Sequence, residues 1–146
     1  MKANEDIFFL TGDLGYGVWD QVMKDYPHRA INIGAAEQAM LDIACGLSIE
    51  GKIPFCYSIT TFLLYRGFET LRTYINHENL NVNLIGSGRD KDYTHDGFSH
   101  DATDVPKILD TLENVHQHYP NSSEEAQECL KEVLECKSPD FINLRR

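Results

Sequence analysis

The chain has 146 residues, a net charge of −10, 42% hydrophobic and 25% charged residues. That is enough for one soluble domain with a real core. The acidic balance argues against nucleic acid and anionic membrane surfaces, which demand clustered Lys and Arg.

In chain order, short apolar runs alternate with helical patterns. Asp6 to Thr11 ("DIFFLT") reads as a buried strand, followed by the glycine-rich "TGDLGYG". That turn lacks the Lys-Ser/Thr of a P-loop and the spacing of a dinucleotide fingerprint, so it is weak as a phosphate cradle. Gly17 to Tyr26 fits a helix with Val18, Val22 and Tyr26 on one face. "AINI" is a second strand, and Ala35 to Gly51 a helix with Met40, Ala44 and Leu47 inward, closed by glycine. Ile53 to Ile59 reads as a strand, Phe62 to His77 as helix and Asn81 to Ser87 as strand. The polar loop Gly88 to Asp104 follows. Beyond it come a helix (Val105 to Leu112), the short strand "NVHQHY", a helix opened by Ser122 with Glu125 at capping-box spacing, and a last strand, "DFINLRR".

This alternation predicts an α/β domain over residues 1–146: a doubly wound, mainly parallel β-sheet with helices on both faces. Ligands of such a domain bind at the carboxyl ends of the strands. The four cysteines form no CxxC pair. Cys45 and Cys56 read as small core residues. Cys129 and Cys136, seven apart, share a face of the last helix, but two thiols do not make a metal site. The opening "MKANEDIFFL" is no signal peptide, and no apolar run reaches membrane-spanning length. A cytoplasmic setting is the expectation.

Three features are candidate sites. Glu37 lies in the first turn of a helix just after a strand. It reads either as a carboxylate favoured by the helix dipole or as a functional carboxylate at the sheet's carboxyl edge, with the small Ala35, Ala36 and Ala39 leaving room for a ligand. Phe62, Tyr65 and Phe68, spaced three and three, share a helix face and read as core packing or as a stacking platform for a flat aromatic ligand. The loop "YTHDGFSHDATD" holds His95, Asp96, His100, Asp101 and Asp104. It is a solvated loop or a binding loop, and its spacing matches no standard metal site.

"GDLG", "INIGAAEQAMLDIACGLSIEGKIPFCYSITTFLLYRGFETLR" and "DGFSHDATD" occur in an order and spacing that resembles the pyrimidine-binding domain of transketolase-like thiamine diphosphate enzymes, a group that includes transketolase and 1-deoxyxylulose-5-phosphate synthase. The resemblance runs from about Ile7 to Arg146 and implies the thiamine diphosphate-binding fold. It implies that Glu37 hydrogen-bonds N1′ of the cofactor's aminopyrimidine, since a carboxyl shielded from water can share a proton with a ring nitrogen and favour the imino tautomer that activates the thiazolium. By the same resemblance, Phe62 and Tyr65, with Phe68 a lesser candidate, surround the pyrimidine. Asp13 lies near the cofactor, and Asp96 and His100 touch the donor's sugar hydroxyls.

The chain also departs from the family. No GDG motif with a following Asn is present, so diphosphate and Mg²⁺ would be bound by a partner chain. Gly17 and Gly88 stand where a Ser and a His bind substrate phosphate, which argues against a phosphorylated sugar. The leading expectation is therefore the pyrimidine-binding subunit of a split transketolase-like enzyme. It would be inactive alone and would carry out ketol or acyl transfer through a C2-thiazolium adduct with a diphosphate-binding subunit, as a homodimer or heterotetramer. The alternatives are a non-catalytic homodimeric or regulatory protein that kept the fold, and an unrelated doubly wound domain such as a flavodoxin-like one.

Overall fold

A computed structural model describes residues 1–146. Six strands form one sheet: β1 (Ile7–Thr11), β2 (Ala30–Asn32), β3 (Ile53–Ile59), β4 (Asn83–Ser87), β5 (His116–His118) and β6 (Asp140–Leu144). Their order is β2-β1-β3-β4-β6-β5 and every pairing is parallel. Parallel strands need crossover connections, and the helices α1 (Asp20–Asp25), α2 (Glu37–Ile49), α3 (Thr60–Arg66), α4 (Phe68–Thr70), α5 (Val105–Leu109) and α6 (Ser123–Glu135) supply them.

The apolar runs make sense as strands buried on both faces. One rank crosses four strands in register: Leu10 beside Cys56, Cys56 beside Leu84, Leu84 beside Phe141. All four side chains are fully buried and join Met40, Leu41, Leu63, Leu64, Val105 and Leu109 from α2, α3 and α5. Phe9, Phe55, Ile85 and Ile142 belong to a second, smaller cluster with Cys129 and Val133 of α6, against which Trp19, Val22 and Met23 pack from the α1 side. The sheet is thus covered on both faces, as the alternation predicted.

Several elements differ from their sequence-based bounds. The first helix is only Asp20–Asp25, and Val18 is exposed in the turn before it. The helical stretch expected over Phe62 to His77 begins at Thr60 and is broken at Gly67. Its last part, Leu71–Asn76, is wound as a π-helix. Gly67 lies so near Leu41 that a Cβ there would stand 2.4 Å from Leu41 Cδ1, which accounts for a glycine inside a helical pattern. The polar loop contains two 3₁₀ turns, Thr94–Asp96 and Phe98–His100. Ser122 caps α6, its Oγ accepting from the Glu125 N–H at 3.1 Å. The reciprocal bond goes to Asn121, whose N–H donates to Glu125 Oε2 at 2.7 Å. Cys136 is the extended residue that ends α6, so it does not share a helix face with Cys129.

All four cysteines are free thiols, and Cys45, Cys56 and Cys129 are buried. Burial, reinforced by Asp42, pushes the Cys45 thiol up to about 11. No helix is long and apolar enough to cross a membrane.

On β4, Gly86 lets the start of α3 pass close over the sheet: a Cβ there would lie 2.5 Å from Thr60 Oγ1 and 3.1 Å from Thr60 Cα. Because a backbone atom is involved, relaxation is expensive. Gly86→Ala is expected to cost about 1–3 kcal/mol. Urea unfolding checks this, and a midpoint equal to wild type would contradict it.

Candidate functional site

The chain reverses its direction of travel across the sheet between β1 and β3, since β2 lies on one side of that pair and β4 on the other. The carboxyl ends of strands at such a switch point splay their following loops apart and leave a crevice. Here the crevice is a cleft of about 190 Å³. Gly12, Asp13 and Leu14 after β1 line one wall, Ser58, Ile59, Phe62 and Arg66 from β3 and α3 the other, and Ala35 and Glu37 its end.

Glu37 lies at the base of this cleft. Its side chain is 1% exposed although it occupies the first turn of α2. The N-cap, Ala36, provides no side-chain bond, and the carboxylate turns toward other elements. Oε1 accepts from Ser58 Oγ at 2.7 Å and Oε2 from Arg66 Nη1 at 2.7 Å. The helix-dipole reading thus covers only part of its placement. Gly12 keeps the base tight: a Cβ there would be 3.1 Å from Ser58 Oγ and 3.4 Å from Glu37 Oε1.

Arg66 follows Phe62 by one helical turn, so the two side chains are neighbours. The guanidinium lies over the Phe62 ring, 3.8 Å from its centroid, while donating to Glu37. Phe62 also meets His100 edge-on, with centroids 4.8 Å apart. His100 is held beside Phe62 by two ties. Thr61 Oγ1 donates to Ser99 O at 2.8 Å, and Ser99 Oγ lies 3.0 Å from His100 Nδ1.

The remaining candidates are placed differently. Asp13 is an exposed residue at φ 60° on the cleft rim. It accepts from the Tyr16 hydroxyl and from Asn32 Nδ2 at 3.0 Å, and these bonds, Tyr16 first, hold its carboxyl below the usual range. Tyr65 points out of the cleft and donates to Asp104 Oδ1 at 2.6 Å; burial, then this bond, pushes its phenol up. Phe68 packs against the larger core cluster, as the packing reading had it. Asp96 is exposed and pairs with His95 at 3.2 Å. The loop's acids and histidines do not converge on one point. Asp101 accepts from Thr103, Asp104 from Tyr65, and His95 also meets Arg146.

The structure therefore brings Glu37, Phe62 and Asp13 into one cleft, sets His100 against Phe62 outside its lining, and leaves Tyr65, Phe68 and Asp96 outside it as well. Sequence reasoning missed Ser58 and Arg66. Arg66 could have been found from its spacing of four from Phe62. Nothing local marked Ser58.

Fold and site together define a doubly wound α/β domain with a buried carboxylate at the switch point. The whole chain, residues 1–146, matches the family described as "Transketolase, pyrimidine binding domain", and it belongs to that family. It is 27% identical over 146 residues to a putative transketolase C-terminal section of Methanocaldococcus jannaschii, covering 99% of this chain and 46% of that protein. It is 26% identical over 122 residues to one subunit of an apulose-4-phosphate transketolase of Actinobacillus succinogenes, covering 84% and 39%. Among solved structures, a split gene transketolase, described as an inactive beta4 tetramer, superposes with a TM-score of 0.86 at 29% identity, over 99% of this chain and 46% of that one. The chain thus spans less than half the length of these relatives.

Removing one partner of a buried charge costs more than neutralising the charge itself. Arg66→Ala, which leaves Glu37 with Ser58 alone, is expected to lower stability by about 1–3 kcal/mol, and Glu37→Gln by less. Chemical denaturation of both variants checks the order; the reverse order would contradict the pairing.

Asp13 gives a pH prediction. Its folded value lies below its ordinary 3.8, so its bonds to Tyr16 and Asn32 stabilise fully above that value and are lost as pH falls through the folded value. In Tyr16→Phe, NMR titration should find Asp13 returned toward 3.8. An unmoved titration would contradict the assignment.

Proposed function

We propose that this chain is the pyrimidine-binding subunit of a split transketolase-like enzyme, and that the switch-point cleft holds the aminopyrimidine of thiamine diphosphate. The observation that carries this reading is the carboxylate of Glu37, buried beside the Phe62 ring in a cleft sized for a single heterocycle. Arg66 supports it as an internal stand-in. A planar group already stacks on Phe62 and bonds to Glu37, and an aminopyrimidine would take that place, its N1′ meeting the Glu37 carboxyl through a shared proton.

The roles of the residues follow from that placement. Glu37 would hold a proton between its carboxylate and the ring nitrogen N1′, with Ser58 fixing the other oxygen. Phe62 would stack on the ring once Arg66 has swung toward solvent, which its 43% exposed side chain allows. Gly12 keeps Ser58 and Glu37 close, and Asp13, on the cleft lining, would border the cofactor. His100, edge-on to Phe62, would reach hydroxyls of a sugar donor, with Asp96 on the same loop. Tyr65 would act through Asp104 by fixing the loop, and Phe68 through core packing. Bound thiamine diphosphate supplies the electron sink for cleaving a carbon–carbon bond beside a carbonyl.

The diphosphate and Mg²⁺ are assigned to a separate chain, and the working assembly to a hetero-oligomer in the cytoplasm that transfers a two-carbon ketol unit. Two relatives, one named as a transketolase section and the other as a transketolase subunit, support that division of labour. The test combines this chain with the diphosphate-binding subunit and assays ketol transfer from a ketose donor. Activity should need both chains, and Glu37→Gln should lower kcat about 100-fold or more with the assembly intact. Full activity of Glu37→Gln, or no cofactor binding by the combined chains, would overturn the reading.

A further inference from the structure

At the opposite, amino-terminal edge of the sheet, β5 and β6 start side by side, with His116 in register with Asp140. Cys136, where α6 ends, reaches the same point. His116 Nδ1 is 3.6 Å from Asp140 Oδ1 and 3.7 Å from Cys136 Sγ, and the three ligand atoms lie within 4.8 Å of one another. The side chain of Asp140 is 1% exposed. Its Oδ1 accepts from His118 Nε2 at 2.6 Å, but its Oδ2 has no hydrogen-bond partner. A buried carboxylate oxygen without a donor is costly, and a cation is one way to satisfy it.

The spacing is informative. A tetrahedral ion with bonds of about 2.0 Å to N and O and about 2.3 Å to S sets its ligand atoms roughly 3.3–3.6 Å apart. His116 Nδ1 stands within about 0.3 Å of that from Asp140 Oδ1 and from Cys136 Sγ, while the three atoms span up to 4.8 Å, so the Cys136 and Asp140 side chains close by about 1.3 Å around an ion. The neighbourhood favours a cation, since Glu128 and Glu132 line the adjoining cleft with His118 and Cys129.

We propose that His116, Cys136 and Asp140 form a binding site for a borderline-soft divalent metal ion, Zn²⁺ by its mixed N, S and O donors, with the fourth position open to solvent. His118 is a positioning residue that holds the Asp140 carboxylate through Oδ1 and leaves Oδ2 for the ion. Binding forms a metal–thiolate bond and releases the Cys136 proton to solvent, so affinity falls as pH drops. The ion would clip the three-residue edge strand β5 and the end of α6 to β6. This site is independent of the switch-point cleft and of the function proposed for it.

The test uses Co²⁺ as a spectroscopic probe on the purified full chain, with Zn²⁺ as competitor. Expected are one equivalent of bound Co²⁺ with a near-ultraviolet thiolate charge-transfer band, its loss on adding Zn²⁺, and protection of Cys136 from thiol reagents by Zn²⁺. Cys136→Ser should abolish the band and His116→Ala should weaken binding at least about tenfold, while His77→Ala should behave as wild type. Asp140 is a buried position, so the two solvent-reaching variants keep the test independent of folding. Absence of the band in wild type, or its persistence unchanged in Cys136→Ser or His116→Ala, would overturn the proposal.

Discussion

The rest of the site depends on one constraint: the carboxylate of Glu37 is out of water and must be satisfied by the protein. Its two oxygens draw one donor from β3 and one from α3, so a single acid fixes α2, β3 and α3 relative to each other at the strand ends. Gly12 at the end of β1 completes the set by having no side chain. Such a pair is weak evidence for stability, because desolvating the charges offsets much of their attraction. Its value lies in position: an acid held this way presents a fixed geometry to whatever displaces the guanidinium. Arg66 suits that exchange, being half in solvent and tethered by one bond and one ring face.

The apolar ranks between the two sheet edges supply the stability that such polar ends require. Leu10, Cys56, Leu84 and Phe141 are sealed between strands and helices, and the burden of folding falls on them. Polar and ionisable groups then collect at the strand ends. Glu37, Ser58 and His100 gather at the carboxyl edge. His116, Asp140 and Cys136 gather at the amino edge, where one oxygen of the buried Asp140 carboxylate has no partner. The first set lies in the place where open α/β sheets bind ligands.

The alternation of apolar runs and helical patterns made the doubly wound sheet legible, because strands buried on both faces carry near-continuous hydrophobic residues. Ile53 to Ile59 was legible to the residue. The helix ends were not. Gly67 answers to packing against Leu41, which no local pattern encodes, and a π-helical stretch follows at Leu71–Asn76. In the site, Glu37 and Phe62 stood out by type and spacing. Ser58 reads locally as one more strand residue, and its role exists only because α2 brings Glu37 beneath it. Tyr65 and Phe68 share helical spacing with Phe62, yet Tyr65, within the same helix, meets Asp104, and Phe68, beyond the break at Gly67, packs on the core. The amino-edge cluster joins His116 to Cys136 and Asp140, 20 and 24 residues further on, and the β5–β6 register sets His116 beside Asp140.

In the function proposed, this chain holds one wall of a site: an acid, a ring and a loop, with the charge of a diphosphate left for another chain to meet. That division makes the pyrimidine contacts measurable by themselves. The most direct measurement is an NMR titration of the chain with a free 4-aminopyrimidine at millimolar concentration, following backbone amides and the Glu37 side-chain carboxyl. The account predicts shifts confined to Gly12, Asp13, Glu37, Ser58, Phe62 and Arg66, with the Glu37 carboxyl moving most and the response lost in Glu37→Gln. Shifts centred elsewhere, or an undisturbed Glu37 carboxyl at saturation, would contradict it.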